Sequence, residues 1–418
     1  MTNEQVKRVS AENSREFGRG EGALAGESGK KDAPSEDVRS AARTKLLFVV
    51  TEDWYFVSHR LPLAVAAIAA GMDVSIATNV SSHAEVIRQA GIKLYPWKLN
   101  RGSTGLLAEF KALCGLLKIY WQVRPDIVHQ VAIKPVLYGS LLAKLLRIPR
   151  VVNALGGMGA IFSDTSGKRG RLRAVVLAGF RSLLNRRGSL LILQNPDDCE
   201  LMVNGAAIVR ANIRLIRGAG VDVRVFDVVP EPEGTPLVVL PARMLTDKGV
   251  VEFVEAARLL KAQGVQARFA LVGGTDECNP ASVPPATLKD WVDSGTVEWH
   301  GRRDDMPAVY RSATLVCLPS YREGLPKALL EAAACGRAIV ATDVPGCREI
   351  VRHGENGLLV EVRDVAALVN AMATLLSDTA TRQAMGAAGR KMVLQEFSEE
   401  KVVADTLEIY QELMTVAD

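Results

Sequence analysis

Two glutamates, Glu323 and Glu331, stand with seven residues between them in the stretch SYREGLPKALLE, residues 320–331. An apolar run, TLVCLP, precedes the stretch and reads as a fully buried strand. Pro326 falls where a helix would begin, a position that needs no N–H and suits its fixed φ. Gly324 lets a ligand approach the backbone before that helix, and Leu325 lies between the two. The free N–H groups and dipole of the helix start favour an anion. Carboxylates beside such a site would repel a bare phosphate but accept hydrogen bonds from hydroxyls. The pattern therefore asks for a ligand anionic at one end and rich in hydroxyls at the other, as a nucleotide sugar is.

Other cations and glycines fall at strand ends in the same half. After LVVLPA come Arg243 and Lys248, a bidentate fork and a point charge suited to a diphosphate. Gly273 and Gly274 follow the run ARFALV but lack the spacing of a dinucleotide fingerprint. Gly346 and Gly357 read as turn glycines, and Asp343 as a residue within reach of a ligand. In the other half, His59 and Arg60 follow the first strand. They fit an anionic substrate group, or equally a helix start capped by Ser58 with a solvated Arg60. His129 sits at a strand end with Lys134 just beyond; the histidine reads as a sugar or acceptor ligand or as a core residue, the lysine as a diphosphate contact. Gly156 and Gly157 open the loop NALGGMGAIFSD, whose lack of side chains suits a sugar acceptor. GKRGRLRAVVLAGFRSLLNRRG, residues 167–188, carries Lys168, Arg169, Arg171, Arg173, Arg181, Arg186 and Arg187 and no acid. It reads as a basic amphipathic helix for an anionic bilayer, with Phe180 at the interface, or as a core-packed helix with a charged outer face.

The elements that must position these residues alternate. From Lys45 onward, short β-rich runs (LLFVV, DVSIAT, DIVHQV, RVVNAL, LLILQN, IRLIRG) are separated by helix-period stretches. FDVVPEPEGTP interrupts with three prolines, and the alternation restarts with LVVLPA, ARFALVG, TVEWHG, ATLVCLPS, RAIVAT and GLLVE. Such alternation predicts an α/β protein of two doubly wound parallel sheets with a cleft between them, ligands lying outside the carboxyl ends of the strands. The expected organisation is a disordered or loosely docked tail (1–42), a first Rossmann-like domain (43–225), a linker (226–236), a second domain (237–398) and a helix (399–418) crossing back. At 418 residues and 48% hydrophobic content the chain can bury two cores. Net charge is +4, but residues 43–225 carry 25 Lys/Arg against 11 Asp/Glu, and residues 226–418 carry 19 against 28. The basic half suits an anionic membrane, a diphosphate-bearing acceptor or nucleic acid. No apolar run approaches the ~18–20 residues of a membrane span, and no secretory leader is visible. Six cysteines without CxxC spacing agree with a reducing cytoplasm.

The stretches ARMLTDKGVVEF, LVGGTDECNP and LPSYREGLPKALLEA resemble the family 4 retaining glycosyltransferases of the GT-B fold, over roughly residues 45–414. They are most similar to bacterial members that build polysaccharide, lipopolysaccharide or undecaprenyl-diphosphate glycans, such as lipid-linked N-acetylgalactosaminyltransferases. The resemblance implies a UDP-sugar donor and a lipid-diphosphate or glycan acceptor. It gives Glu323 to the transferred sugar, Glu331 to the ribose, Arg243 and Lys248 to the diphosphate, and Gly301 and Arg302 to the nucleobase. It departs at Thr51–Pro62, which lacks the family's Gly-rich loop, and at Val131, where members often carry a second histidine. No cofactor and no metal are expected, since Asp-x-Asp at a strand end is missing, and the protein is placed on the inner face of the plasma membrane. Rival readings are a GT-B sugar-nucleotide 2-epimerase, separable by donor turnover without acceptor, and a basic binding module without catalysis. A dinucleotide oxidoreductase would need GxGxxG after the first strand, where TEDWYFVSH stands.

Overall fold

A computed structural model describes residues 43–99, 105–157, 167–276 and 279–415. The tail expected over 1–42, the Gly-rich loop beyond Gly157 and the side chains of Lys168 and Arg169 lie outside the described residues. The apolar runs fold as strands, and the strands form two sheets. The first contains β1 (Lys45–Glu52), β2 (Asp73–Asn79), β3 (Lys93–Pro96), β4 (Ile127–Val131), β5 (Arg150–Ala154), β6 (Ser189–Leu193) and β7 (Ile213–Leu215), in the order β3-β2-β1-β4-β5-β6-β7. β1 runs parallel to β2 and to β4, with Phe48 opposite His129. The second contains β8 (Leu237–Pro241), β9 (Arg268–Val272), β10 (Glu298–Trp299), β11 (Leu315–Leu318), β12 (Ala338–Thr342) and β13 (Gly357–Val360), in the order β10-β9-β8-β11-β12-β13. All five of its pairings are parallel.

Parallel strands covered on both faces must be apolar throughout, which is why these runs do not alternate. In β8, Val238 and Leu240 enter one core with Phe253, Phe269 and Leu271, while Leu237 and Val239 enter the other with Ala270, Val316 and Leu329. Phe253 is fully buried, so truncating it to alanine removes about 3–5 kcal/mol. In the first sheet, Leu47, Val49 and Val128 pack against Leu116 and Tyr120 of the helix Leu106–Val123.

Each sheet reverses its strand order once, between β1 and β4 and between β8 and β11. A crevice opens at such a reversal, outside the carboxyl ends of the two central strands. The chain before β8 is pinned rather than loose: buried Arg337 donates to the carbonyls of Val229 and Pro230, and buried Arg382 pairs with Glu231 at 2.8 Å. By packing, residues 43–154, 178–191 and 406–415 form one compact unit and the remaining described residues a second. The helix Glu399–Thr415 ends in the first unit, where Leu413 accepts a hydrogen bond from Arg150 Nε at 2.9 Å.

The basic helix Gly167–Leu184 corrects one expectation. Val176, Phe180 and Leu184 are buried, a spacing of four that marks the core face of a helix. Phe180 therefore holds the fold and is unavailable to a bilayer; among the described residues of this helix, Leu172 and Val175 are the large apolar side chains that are exposed. A longer apolar stripe lies elsewhere. On Leu106–Val123 the residues Leu107, Phe110, Cys114, Leu117 and Trp121 are all exposed, spaced alternately three and four apart along one face. Lys111, Lys118 and Arg124 are exposed beside them. No helix among the described residues is long and apolar enough to cross a membrane.

Candidate functional site

The crevice at β8 and β11 gathers the second-half residues. β11 runs through Pro319 into Ser320, and the helix Lys327–Ala334 starts with Pro326 at its N-cap in an extended conformation. The Lys248 loop is stitched to this segment: Tyr321 N donates to Asp247 O at 2.9 Å. Lys248 ends the 3-10 turn Thr246–Lys248 and places its Nζ 2.6 Å from Glu323 Oε1. Both side chains are largely enclosed, at 20% and 11% exposure. A cation and a carboxylate held at one strand end can address a diphosphate and a sugar hydroxyl in turn.

Gly324 is the point of closest approach. A Cβ there would lie 2.1 Å from the carbonyl oxygen of Gly156 and 2.8 Å from Gly157 Cα, so these two residues rest directly on it. A Cβ on Gly346 would lie 2.5 Å from Gly324 O. Gly346 thus serves close packing inside the short helix Pro345–Arg348 and not a turn. Gly357 likewise opens β13 against the Ile339 carbonyl, which corrects its assignment as a turn glycine. Leu325 packs toward Gly218, whose added Cβ would stand 2.6 Å from Leu325 Cδ2.

Glu331 lies further along the helix, partly buried, and accepts a hydrogen bond from Tyr310 Oη at 3.1 Å. Burial pushes its carboxyl above the ordinary range, against the pull of Lys327 and Tyr310. Arg243 follows β8 and pairs with Asp276 at 2.7 Å, with its guanidinium more than half exposed. Gly273 N donates to Gly301 O at 2.8 Å, and Trp299 Nε1 to Gly273 O at 2.9 Å, which ties the carboxyl ends of β9 and β10 together. Gly301 has open space around its Cα, and Arg302 is exposed beside Asp304. Asp343 is held by Arg348 at 2.5 Å.

Asn195 and Asp198, both buried, lie outside the residues singled out from the sequence. Asn195 caps the helix Pro196–Ala206, accepting from Asp198 N at 2.7 Å, and its Nδ2 donates to Gly324 O at 3.0 Å. Burial pushes the Asp198 carboxyl up, with Asn195 and Arg322 opposing. An Asn-Pro-Asp-Asp run is the pattern of a helix cap with proline at its first position, but nothing in it announces the contact with Gly324.

The crevice at β1 and β4 holds the first-half residues. His59 ends the helix Asp53–His59 and stacks on Tyr55, ring centroids 4.2 Å apart. Arg60 joins this helix to the next and is 6% exposed, with no ion-pair partner among the described residues. That excludes the capped helix start with a solvated arginine: Ser58 is the penultimate residue of the helix Asp53–His59 and Arg60 is buried. His129 is 1% exposed, stacked on Phe48, with Nδ1 2.6 Å from Tyr410 Oη. Burial and the nearby Arg60 push its pKa well below the usual value, so the ring is neutral. Of its two readings, the packing supports the core residue. After β4, Ala132 takes φ +84, a strained conformation for a residue with a Cβ, directly before the helix Ile133–Leu145. Lys134, in its first turn, pairs with Glu109 at 2.7 Å, and Tyr138 donates to the same carboxylate. Burial pulls Glu109 up, but these partners pull it below the ordinary range. Asp53, also unforeseen, is buried and accepts from Ser81 and His83, which fixes the loop after β2.

Residues 45–186 match the family model described as glycosyl transferase 4-like, and residues 235–378 the one described as glycosyl transferases group 1. The N,N'-diacetylbacillosaminyl-diphospho-undecaprenol alpha-1,3-N-acetylgalactosaminyltransferase of Campylobacter jejuni is 28% identical over 368 residues, spanning 85% of this chain and 95% of its own. The UDP-Gal:alpha-D-GlcNAc-diphosphoundecaprenol alpha-1,3-galactosyltransferase of Escherichia coli is 24% identical, spanning 65% of this chain and 72% of its own. Among solved structures, Anabaena HepE in complex with UDP superposes with a TM-score of 0.71 at 19% identity, over 88% of this chain and all of that one. The sucrose-phosphate synthase of Thermosynechococcus elongatus does so with 0.73 at 20% identity, over 90% and 100%.

Proposed function

Because this chain belongs to the glycosyltransferases, with a 4-like first half and a group 1 second half, we propose that it moves a hexose or N-acetylhexosamine from a UDP-sugar to a lipid-diphosphate-linked glycan in surface-glycan assembly. The observation that carries this is the enclosed Lys248–Glu323 pair beside Gly324, at the strand-order reversal of the second sheet.

Transfer proceeds with retention. The bond from C1 of the sugar to the diphosphate oxygen breaks as the acceptor oxygen bonds to C1 on the same face. The acceptor proton passes to an oxygen of the departing diphosphate, so no protein base is required, in keeping with an enclosed, neutral His129. Lys248, Arg243 and the free N–H groups that open the helix Lys327–Ala334 offset the charge developing on UDP. Their present partners, Glu323 and Asp276, must release them as the donor arrives. Glu323 then accepts hydrogen bonds from the sugar hydroxyls, and Glu331 from the ribose. Gly301 and Arg302 meet the nucleobase, and Gly156 and Gly157 lie against the sugar. Arg60, His59 and Lys134 address the acceptor diphosphate. With these cations in place, the reaction needs no divalent metal.

A lipid-linked acceptor keeps its sugar near the headgroups, so the protein docks peripherally on the membrane. The stripe Leu107, Phe110, Leu117 and Trp121, flanked by Lys111, Lys118 and Arg124, has the amphipathic chemistry for that surface. The test is a panel of UDP-sugars offered with an undecaprenyl-diphosphate-linked saccharide in chelator, product mass and anomeric configuration being read directly. An α-linked product from an α-linked donor supports the proposal. Inversion, a strict metal requirement, or donor turnover without acceptor contradicts it.

A further inference from the structure

A cavity of about 620 Å3 opens in the first unit, at the amino ends of β5 and β6. Strands of five residues span about 16 Å, so it lies at the opposite edge of the sheet from the β1–β4 crevice. Lys144, Arg147, Arg150, Arg186 and Arg187 line it, and no carboxylate does among the described residues. Two of the cations are held by backbone: Arg186 donates to the carbonyls of Ile148 and Pro149, and Arg150 Nε to Leu413 O. At Arg186 these carbonyl partners orient the guanidinium without cancelling its charge. Burial pulls the Arg186 guanidinium below its ordinary pKa.

The backbone is shaped around the cavity as well. Gly188 takes φ +73, and a Cβ there would lie 2.2 Å from Pro149 O, so only glycine lets the start of β6 close against residue 149. Arg147 takes φ +54, a left-handed conformation that a residue with a Cβ seldom adopts. Leu145 and Leu146, next in sequence to the lining residues Lys144 and Arg147, are exposed apolar side chains.

We propose that this cavity, lined by Lys144, Arg147, Arg150, Arg186 and Arg187, is a second anion site that takes a phosphate-bearing group, separate from the nucleotide site. Arginine forks suit phosphate oxygens bidentately, and five cations match a dianion or a pair of phosphates. The same chemistry is offered by a free diphosphate and by the headgroup phosphate of an anionic lipid.

The test is calorimetric titration of the full chain with inorganic pyrophosphate at low salt, with UDP saturating so that the nucleotide site is filled. One further equivalent should bind. The double variant Arg147→Gly/Arg187→Gln should weaken that binding at least tenfold while leaving UDP affinity unchanged. Glycine suits the left-handed backbone at 147, and both residues are exposed, so the fold is retained. Co-sedimentation with phosphatidylcholine vesicles containing phosphatidylglycerol separates the sources. Loss of both pyrophosphate and vesicle binding assigns a lipid headgroup; loss of pyrophosphate binding alone assigns a soluble anion. No pyrophosphate binding by the parent, or equal binding by the variant, overturns the proposal.

Discussion

Replacing Lys248 with alanine separates the electrostatic role of this residue from its structural one. Nζ stands 2.6 Å from Glu323 Oε1, and the two side chains are 20% and 11% exposed. At an effective dielectric of about 20 the gross attraction is about 6 kcal/mol, most of which desolvation offsets. Removing the amine leaves an enclosed carboxylate unpaired, at a stability cost of about 1–3 kcal/mol. In the reaction the same amine faces the charge developing on the leaving diphosphate. Losing one such contact costs about 2–4 kcal/mol in the transition state, or roughly 30- to 900-fold in kcat/KM. The stability effect is isolated in the double variant Lys248→Ala/Glu323→Gln, which has no unpaired charge. Its melting temperature should return toward the parent's while its turnover stays low. The assay is UDP release with donor and acceptor, alongside thermal unfolding. A Lys248→Ala enzyme within threefold of the parent, or a double variant that regains turnover, would refute the reasoning.

Gly324→Ala should lower the melting temperature and raise the donor KM, because its Cβ would sit 2.1 Å from the Gly156 carbonyl, an overlap costing about 1–3 kcal/mol or more; an unchanged thermal midpoint counts against that contact. Glu399 has its pKa pushed up to about 7 by burial and by Asp222. The folded state thus holds a proton that the unfolded chain releases near the ordinary carboxyl range, and stability falls as pH rises between about 4.5 and 7. Glu399→Gln should be more stable than the parent above pH 7, by up to about 3 kcal/mol, with no difference near pH 4; parallel pH–stability curves would dismiss this. Phe110→Ser/Trp121→Ser should weaken sedimentation with phosphatidylglycerol vesicles severalfold and leave the melting temperature nearly unchanged, since both side chains are about two-thirds exposed.

Much of this arrangement is legible in the amino-acid sequence. Strands buried on both faces must be continuous apolar runs, so LLFVV, LVVLP and TLVCL declared themselves. The segment from Ser320 to Glu331 was legible because glycine, proline and acid each mark a local backbone requirement. What stayed hidden depends on which face a residue turns and on distant partners. Phe180 looked membrane-facing because its neighbours are basic, whereas its four-residue spacing with Val176 and Leu184 sets the core side. Arg60 read equally as an anion contact or as a solvated cation, since burial of a charge is decided by what packs over it. Gly346 and Gly357 looked like turn residues, because a sequence does not show which carbonyl will press against a Cα. The contact of Asn195 with Gly324 joins residues 129 positions apart, which no local pattern encodes.

The central claim, that the second-half crevice is a UDP-sugar site, is tested most directly by calorimetric titration of UDP against the purified chain in chelator. One site per chain is expected, with a dissociation constant in the micromolar range. Arg243→Ala should weaken it about tenfold or more, and the Arg147→Gly/Arg187→Gln variant should leave it unchanged. Absence of UDP binding, or binding indifferent to Arg243, would contradict the account.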